Sequence, residues 1–337
     1  MKINQFVAGL IFVSIVQQGC ASYTPNTTVT VHVVDEAGIP IPGATMNMGF
    51  SDGGGAKGET DAEGRFVVSG SVGSAAFGGT IEKEGYYRSA GILWTGGWTN
   101  RRSAEKTEGG YFPIPHRSGA VLLKPPSDFT ITLKRIIDPV PMFHKRAKVV
   151  LPELGKKIGF DLEAGDWVHP YGKGKIADFV FEGSKEVVDR FNYSVTVRLS
   201  FTNPDDGIRE FWGAERLKME SNLVGPQSAP IEGYRDNLLF KENRTRISNS
   251  KFPMETYFDE RQRYLFRTRS EKDSNGNLVR AAYGKIVSPF GFDPLNFETI
   301  WISFDYFFNA DPDPENRSLE YNGENLLTGY NDRGFPE

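Results

Sequence analysis

The chain has 337 residues, enough for two domains of ordinary size, and its 39% hydrophobic and 24% charged residues describe a soluble protein that can still bury a core. A formal net charge of −4 offers no general field for a polyanion, which excludes DNA or RNA as the main partner. Aromatic residues make up 13%, with 25 Phe among them, and rings of that size suit the buried faces of pleated sheets.

Residues 1–21 read as a targeting segment rather than as fold. Lys2 supplies the positive start. Phe6 to Val16 is an uncharged apolar run, shorter than the ~20 residues of a membrane-spanning helix. Two processing routes fit the residues after it. Gly19-Cys20 resembles the end of a bacterial lipobox, in which the cysteine becomes the lipidated first residue, although Gln17 stands where an aliphatic residue is usual. Small residues at Gly19 and Ala21 also suit ordinary cleavage after Ala21. Cys20 is the only cysteine, so the mature chain has no disulfide by either route. The expectation is an exported envelope protein, anchored to a bacterial membrane through a lipid on Cys20, or otherwise periplasmic or secreted.

After a polar tether at 22–28, Val29, Val31 and Val33 alternate with Thr30 and His32, the period of a half-buried strand. Asp35-Glu36-Ala37-Gly38 reads as a turn. A second turn, at Asp61-Ala62-Glu63-Gly64, leads into a strand at Phe66-Val67-Val68. There Asp61 can take backbone amides, and Gly64 can adopt a left-handed backbone. Gly38-x-Pro40-x-Pro42-Gly43-Ala44, then Gly58-x-Thr60-Asp61-x-x-Gly64-x-Phe66, then Lys83-Glu84-Gly85-Tyr86-Tyr87, resemble the carboxypeptidase regulatory-like domain. The resemblance implies an immunoglobulin-like, transthyretin-like β-sandwich over 29–136, closed by a strand at Phe129, Ile131 and Leu133, with a long insertion at 88–128. It also implies a non-catalytic accessory role in folding, surface display or binding.

Prolines at 125, 126, 139, 141 and 152 mark the exit from this unit, which spans 22–136, into a second region, 137–337. This region resembles exported bacterial proteins of no assigned role. Tyr193, Val195, Val197, Leu199 and Phe201 alternate with polar residues, and Asn203 to Gly207 turn the strand back. Tyr264, Phe266 and Thr268 run to a hairpin at Asn275-Gly276, a pair that favours a type I′ turn. Ile300, Ile302, Phe304, Tyr306 and Phe308 form the strongest strand pattern. Helical patterns are few, so the fold class is mainly β, a sandwich followed by an antiparallel β-rich domain.

Candidate sites are sparse. Trp94 and Trp98, on a glycine-rich stretch, could stack on sugar rings, or else cap the sandwich core. Asp166 to Lys175 is the most site-like stretch. Glycine amides with Lys173 and Lys175 could cradle an anion, and His169 could act as acid or base beside Asp161, Glu163 or Asp166. A structural loop is the plainer reading of the same residues. Arg263, Arg267 and Arg269 share a parity and so a strand face, which could hold acidic glycans or simply be solvated. The acidic loop Asp311 to Asn316 places oxygens two residues apart, but prolines straighten it and no EF-hand glycine is present. No metal spacing, nucleophile elbow or phosphate loop occurs, so no cofactor or metal is expected. These readings favour a binding or interaction protein, not an enzyme, with envelope proteins or glycans as partners. The alternative is a secreted hydrolase acting on glycan or peptide near 161–175.

Overall fold

The computed structural model describes residues 25–73, 76–112, 118–189, 191–215, 217–245, 254–256, 259–293 and 299–328. Residues 1–21, expected to be a targeting segment, lie outside them with Cys20. The chain is mainly β, with several largely antiparallel sheets, and the one helix among the described residues is the four-residue turn Arg101–Ala104. No helix there is long and apolar enough to cross a membrane.

The N-terminal core lies between two sheets. One orders Asp128–Thr132, Asn26–Val34 and Arg65–Ser71; the other orders Glu220–Ser221, Ser89–Thr95, Ala76–Glu82, Thr45–Phe50 and Gly55–Glu59. Alternation supplies the core, since Val29, Val31 and Val33 are fully buried against Met46, Val68, Phe77 and Ile81. The turns work as their residues dictate. Asp35 accepts the amides of Ala37 and Ile39, and Asp61 those of Glu63 and Arg65, each at 2.8–3.0 Å. Gly38 and Gly64 take φ of 78° and 70°. The closing strand at Phe129 and Ile131 pairs in parallel with the first, a departure from purely antiparallel order.

The stretch expected as an insertion, 88–128, opens instead with Ser89–Thr95, which pairs with Ala76–Glu82 and is part of the sheet. Only the later part of the stretch departs from the sandwich, as a small ribbon of Trp98–Asn100, Ala120–Leu123 and Tyr111–Phe112.

In the second region one sheet orders Gly207–Trp212, Gln262–Lys272, Leu278–Ile286, Trp301–Asn309, Val140–Val150 and Tyr321–Asn325, and Gly291–Asp293 also pairs with Trp301–Asn309. The facing sheet orders Asp166–Trp167, Ile158–Asp161, Phe179–Asp189, Asn192–Ser200, Asn237–Arg244 and Met254–Thr256. Between them lies a core of interlocking rings. Phe179 meets Phe266 edge-on at 5.0 Å, and Phe160 meets Trp167 at 5.4 Å. Ile302, Phe304, Tyr306 and Phe308 point into it, at most 2% exposed.

Two local expectations change. At 273–277, Asn275 keeps a negative φ and Gly276 alone turns left-handed, at 85°, so the hairpin is a type I turn closed by a bulge rather than type I′. Asp273 is what decides it, by accepting the amides of Asn275 and Asn277. The arginine row also breaks. A register shift after Thr268 and a left-handed Arg269, φ 58°, swing that side chain to the core side, over the Phe308 ring at 5.1 Å.

The two cores are joined by a strap. Residues 217–222 leave the second region and hydrogen-bond along 88–92 of the sandwich, through Ile92 N to Leu217 O, Met219 N to Ile92 O and Asn222 N to Arg88 O. Gly91 permits the approach. Its φ is 136°, and a Cβ there would lie 2.4 Å from the Lys218 carbonyl oxygen.

Candidate functional site

The even-numbered residues of Trp301–Asn309 build the core, so the odd ones face outward, and their neighbours in register are set by pairing. Phe307 lies opposite His144 on one side and Lys285 on the other, while Asp305 lies opposite Arg146. Part of this outer face is sealed by a small cluster of Ala229, Leu265, Ala281, Tyr283 and Leu319. The rest opens onto a cleft of about 740 Å³, whose far wall is the strap and Tyr87 of the sandwich.

Asp305 organises the floor. Its carboxylate takes His144 Nε2 at 2.9 Å and Arg146 Nε at 3.1 Å. His144 stacks on Phe307, with centroids 4.1 Å apart and planes 1° apart, and Tyr321 packs against Phe307 at 5.1 Å. Asn325 holds the His144 backbone at both its N–H and its C=O.

Lys285 is only 3% exposed, with its ammonium 5.4 Å from the Phe307 centroid and donating to Val224 O, two residues past the strap, at 3.2 Å. Burial, then the neighbouring Lys134 charge, push its pKa down to about 7 against the partial opposition of Glu320. Lys134 is itself lowered by burial and donates to Leu223 O and Gly225 O. Glu320 is 1% exposed, and it accepts Tyr87 Oη and Ile137 N at 2.9 Å each. Burial and that carboxylate raise the Tyr87 phenol above its ordinary range.

The residues singled out from sequence lie elsewhere. Trp94 is half-buried on the sandwich core, folded so closely against Gly96 that a Cβ there would lie 2.2 Å from its ring, whereas Trp98 is exposed and pairs with Leu122 in the ribbon. His169 is exposed, and no carboxylate of the described residues hydrogen-bonds its ring. Lys173 and Lys175 are exposed too.

Most amides in and around that stretch are already taken, that of Gly174 by Trp167 O among them. Asp161 accepts those of Glu163, Ala164, Lys175 and Ile176, and Asp166 accepts those of Trp167 and Lys173. Arg269 completes the loop by donating to Asp178 at 2.8 and 2.9 Å and to Glu163. Arg267 spends its guanidinium on backbone carbonyls, Asp205 O among them, while Arg263 donates through one terminal nitrogen to Glu260 O and Gln262 O and its buried Nε has no partner among the described residues. In the acidic loop, Asp311 and Asp313 cap the loop's own amides. Among the described residues no three His, Cys, Asp or Glu side chains gather as metal ligands.

Sequence reasoning passed over His144, Asp305 and Lys285. The signal that could have found them was the outward parity of the strongest strand. Large aromatics at its outward positions, Trp301 and Phe307, mark a surface that something covers. Neither a comparison with protein-family models nor one with curated proteins returns a match.

Proposed function

We propose that this chain is an exported cell-envelope binding protein, anchored through a lipid on Cys20, that takes a small carboxylated sugar in the cleft between its two cores. The observation that carries the reading is the cleft itself. Its volume of about 740 Å³ lies in the range of small-molecule sites, and it is lined from both cores. Arg146 and Lys218 stand on its wall beside the amine of Lys285, a further hydrogen-bond donor, and the half-buried Tyr321 offers an aromatic surface to a sugar ring. Support for export and anchoring rests on the apolar segment and Gly19-Cys20, and support for an accessory role on the turn motifs of 38–87. Envelope glycans are the natural source of such a ligand.

Calorimetric titration with D-glucuronate against D-glucose tests the cleft. Glucuronate is expected to bind, and Arg146→Met to weaken it roughly tenfold, the worth of one charge-assisted contact. No glucuronate binding, or equal binding of glucose, overturns the reading. Palmitate labelling that Cys20→Ala abolishes tests the anchor, and an unlabelled wild type overturns it.

A hydrolase acting on glycan or peptide draws on one observation, the contact of His144 with Asp305. Among the described residues no hydroxyl hydrogen-bonds that imidazole, so the pair does not extend to a Ser–His–Asp type triad, and the open cleft favours binding as the account.

A further inference from the structure

Lys285 is an unusual occupant of its place. Its neighbours along the strand, Ala281, Ala282, Tyr283 and Ile286, are buried apolar or aromatic residues, and no described carboxylate forms an ion pair with it. A lysine that served only to tie sheet to strap would be better satisfied by a carboxylate partner, since a lone buried charge is costly. Among the described residues its Nζ instead has a single acceptor, Val224 O, beside the Phe307 ring, and the residue lines the open cleft.

From this geometry we infer that Lys285 is a covalent capture site, whose amine condenses with the carbonyl carbon of a small acidic aldehyde or 2-oxo acid held in the cleft. The inference rests on the proposed role of the cleft and names the chemistry that role would serve. A carboxylated sugar in its open-chain form belongs to this class. Burial and Lys134 favour the neutral amine, which is the nucleophile.

The balance is simple. The nitrogen lone pair attacks the carbonyl carbon, the C=O π pair moves to oxygen, and a proton passes from nitrogen to that oxygen to give a carbinolamine. The nitrogen pair then forms C=N as the C–O bond breaks. Both amine protons leave with the oxygen as water, and nothing is oxidised or reduced. Arg146 and Lys218 supply the positive wall for the acid group, and the Phe307 ring forms the apolar floor beside the reacting nitrogen.

The test uses the whole protein with glyoxylate and cyanoborohydride, which reduces any imine to a stable secondary amine, followed by intact mass and peptide mapping at pH 7. One adduct is expected, on Lys285, with exposed lysines at least about tenfold slower because their amines stay protonated. Glycolaldehyde, which lacks the carboxylate, is expected to label Lys285 several-fold more slowly. Lys285→Met should lose the adduct. Mapping the wild type locates the modified residue even where that variant does not fold.

Labelling spread over surface lysines, or absent from Lys285, overturns the inference. Equal rates for glyoxylate and glycolaldehyde overturn its acidic half. Reversible glucuronate binding without an adduct removes the capture site and leaves the cleft reading standing. Loss of both removes both.

Discussion

Phe307 and Phe308 are successive residues of one strand, and each carries a cation against its ring, Lys285 on the outer side and Arg269 on the inner. The two environments share buried charge, aromatic packing and a loop pinned by carboxylates. They differ in what is left over. Around Arg269 the guanidinium and the loop amides close on Asp161, Asp166 and Asp178, and only the hydroxyls of Thr268 and Ser270, buried in packed protein, lack a partner among the described residues of that neighbourhood. Around Lys285 the ammonium has one acceptor among the described residues, and polar groups line open volume. Crowded charge therefore does not mark a site; incomplete pairing beside a cavity does.

The sharpest way to break this contrast is Arg269→Met, which strands Asp178, a carboxylate whose side chain has no exposed surface, without its partner. We expect a loss of about 3–5 kcal/mol by denaturant unfolding, as for other broken buried pairs. A loss under about 1 kcal/mol would show the loop to be less closed than its contacts imply.

Lys285→Met should act in the opposite direction. Below its folded pKa of about 7 the lysine is charged in both states, and the cost of burying the ammonium is felt in full. As pH rises from there towards the unfolded value of 10.5, the folded chain has already shed the proton and the cost falls away. Wild-type stability should therefore climb between about pH 7 and 9, on the order of 2 kcal/mol, while the methionine variant is more stable at pH 7 and flatter over that window. Parallel profiles would contradict the depressed pKa.

Gly91→Ala sets a Cβ into the Lys218 carbonyl and strains a left-handed backbone, so it should loosen the strap from the sandwich at a cost of about 1–3 kcal/mol. Glucuronate binding should fall with it, because the strap is one wall of the cleft. Unchanged binding would mean that the wall is held by other contacts. The smallest effect belongs to His169→Ala, exposed and unpartnered by carboxylate, expected within about 0.5 kcal/mol and silent in binding.

Much of the architecture could be read from local chemistry. The strands at 26–34, 192–200 and 301–309 declare themselves by period two, and the turns at Asp35 and Asp61 by side chains that bond their own neighbours. What depended on distant pairing could not. That Ser89–Thr95 belongs to the sandwich follows from its pairing with 76–82, and the parallel pairing of 128–132 with the first strand has no sequence marker. The cleft is less legible still. His144, Lys285, Asp305 and Glu320 lie far apart in sequence and meet only because three strands come into register and the strap folds back across them. Conversely, the glycines and lysines of 166–175 look like a site because sequence displays donors and not the carboxylates that consume them.

The strap has a consequence for how such a protein can be cut, shuffled or inherited. The sandwich sheet takes its last strand, Glu220–Ser221, from the middle of the other region, and Met219 packs on its core. A fragment ending at residue 136 would present Ser89–Thr95 as a bare edge, open to any passing strand. The sandwich is thus not a portable module. Exchange of either half for another part must carry the strap, or its glycine landing site, along with it.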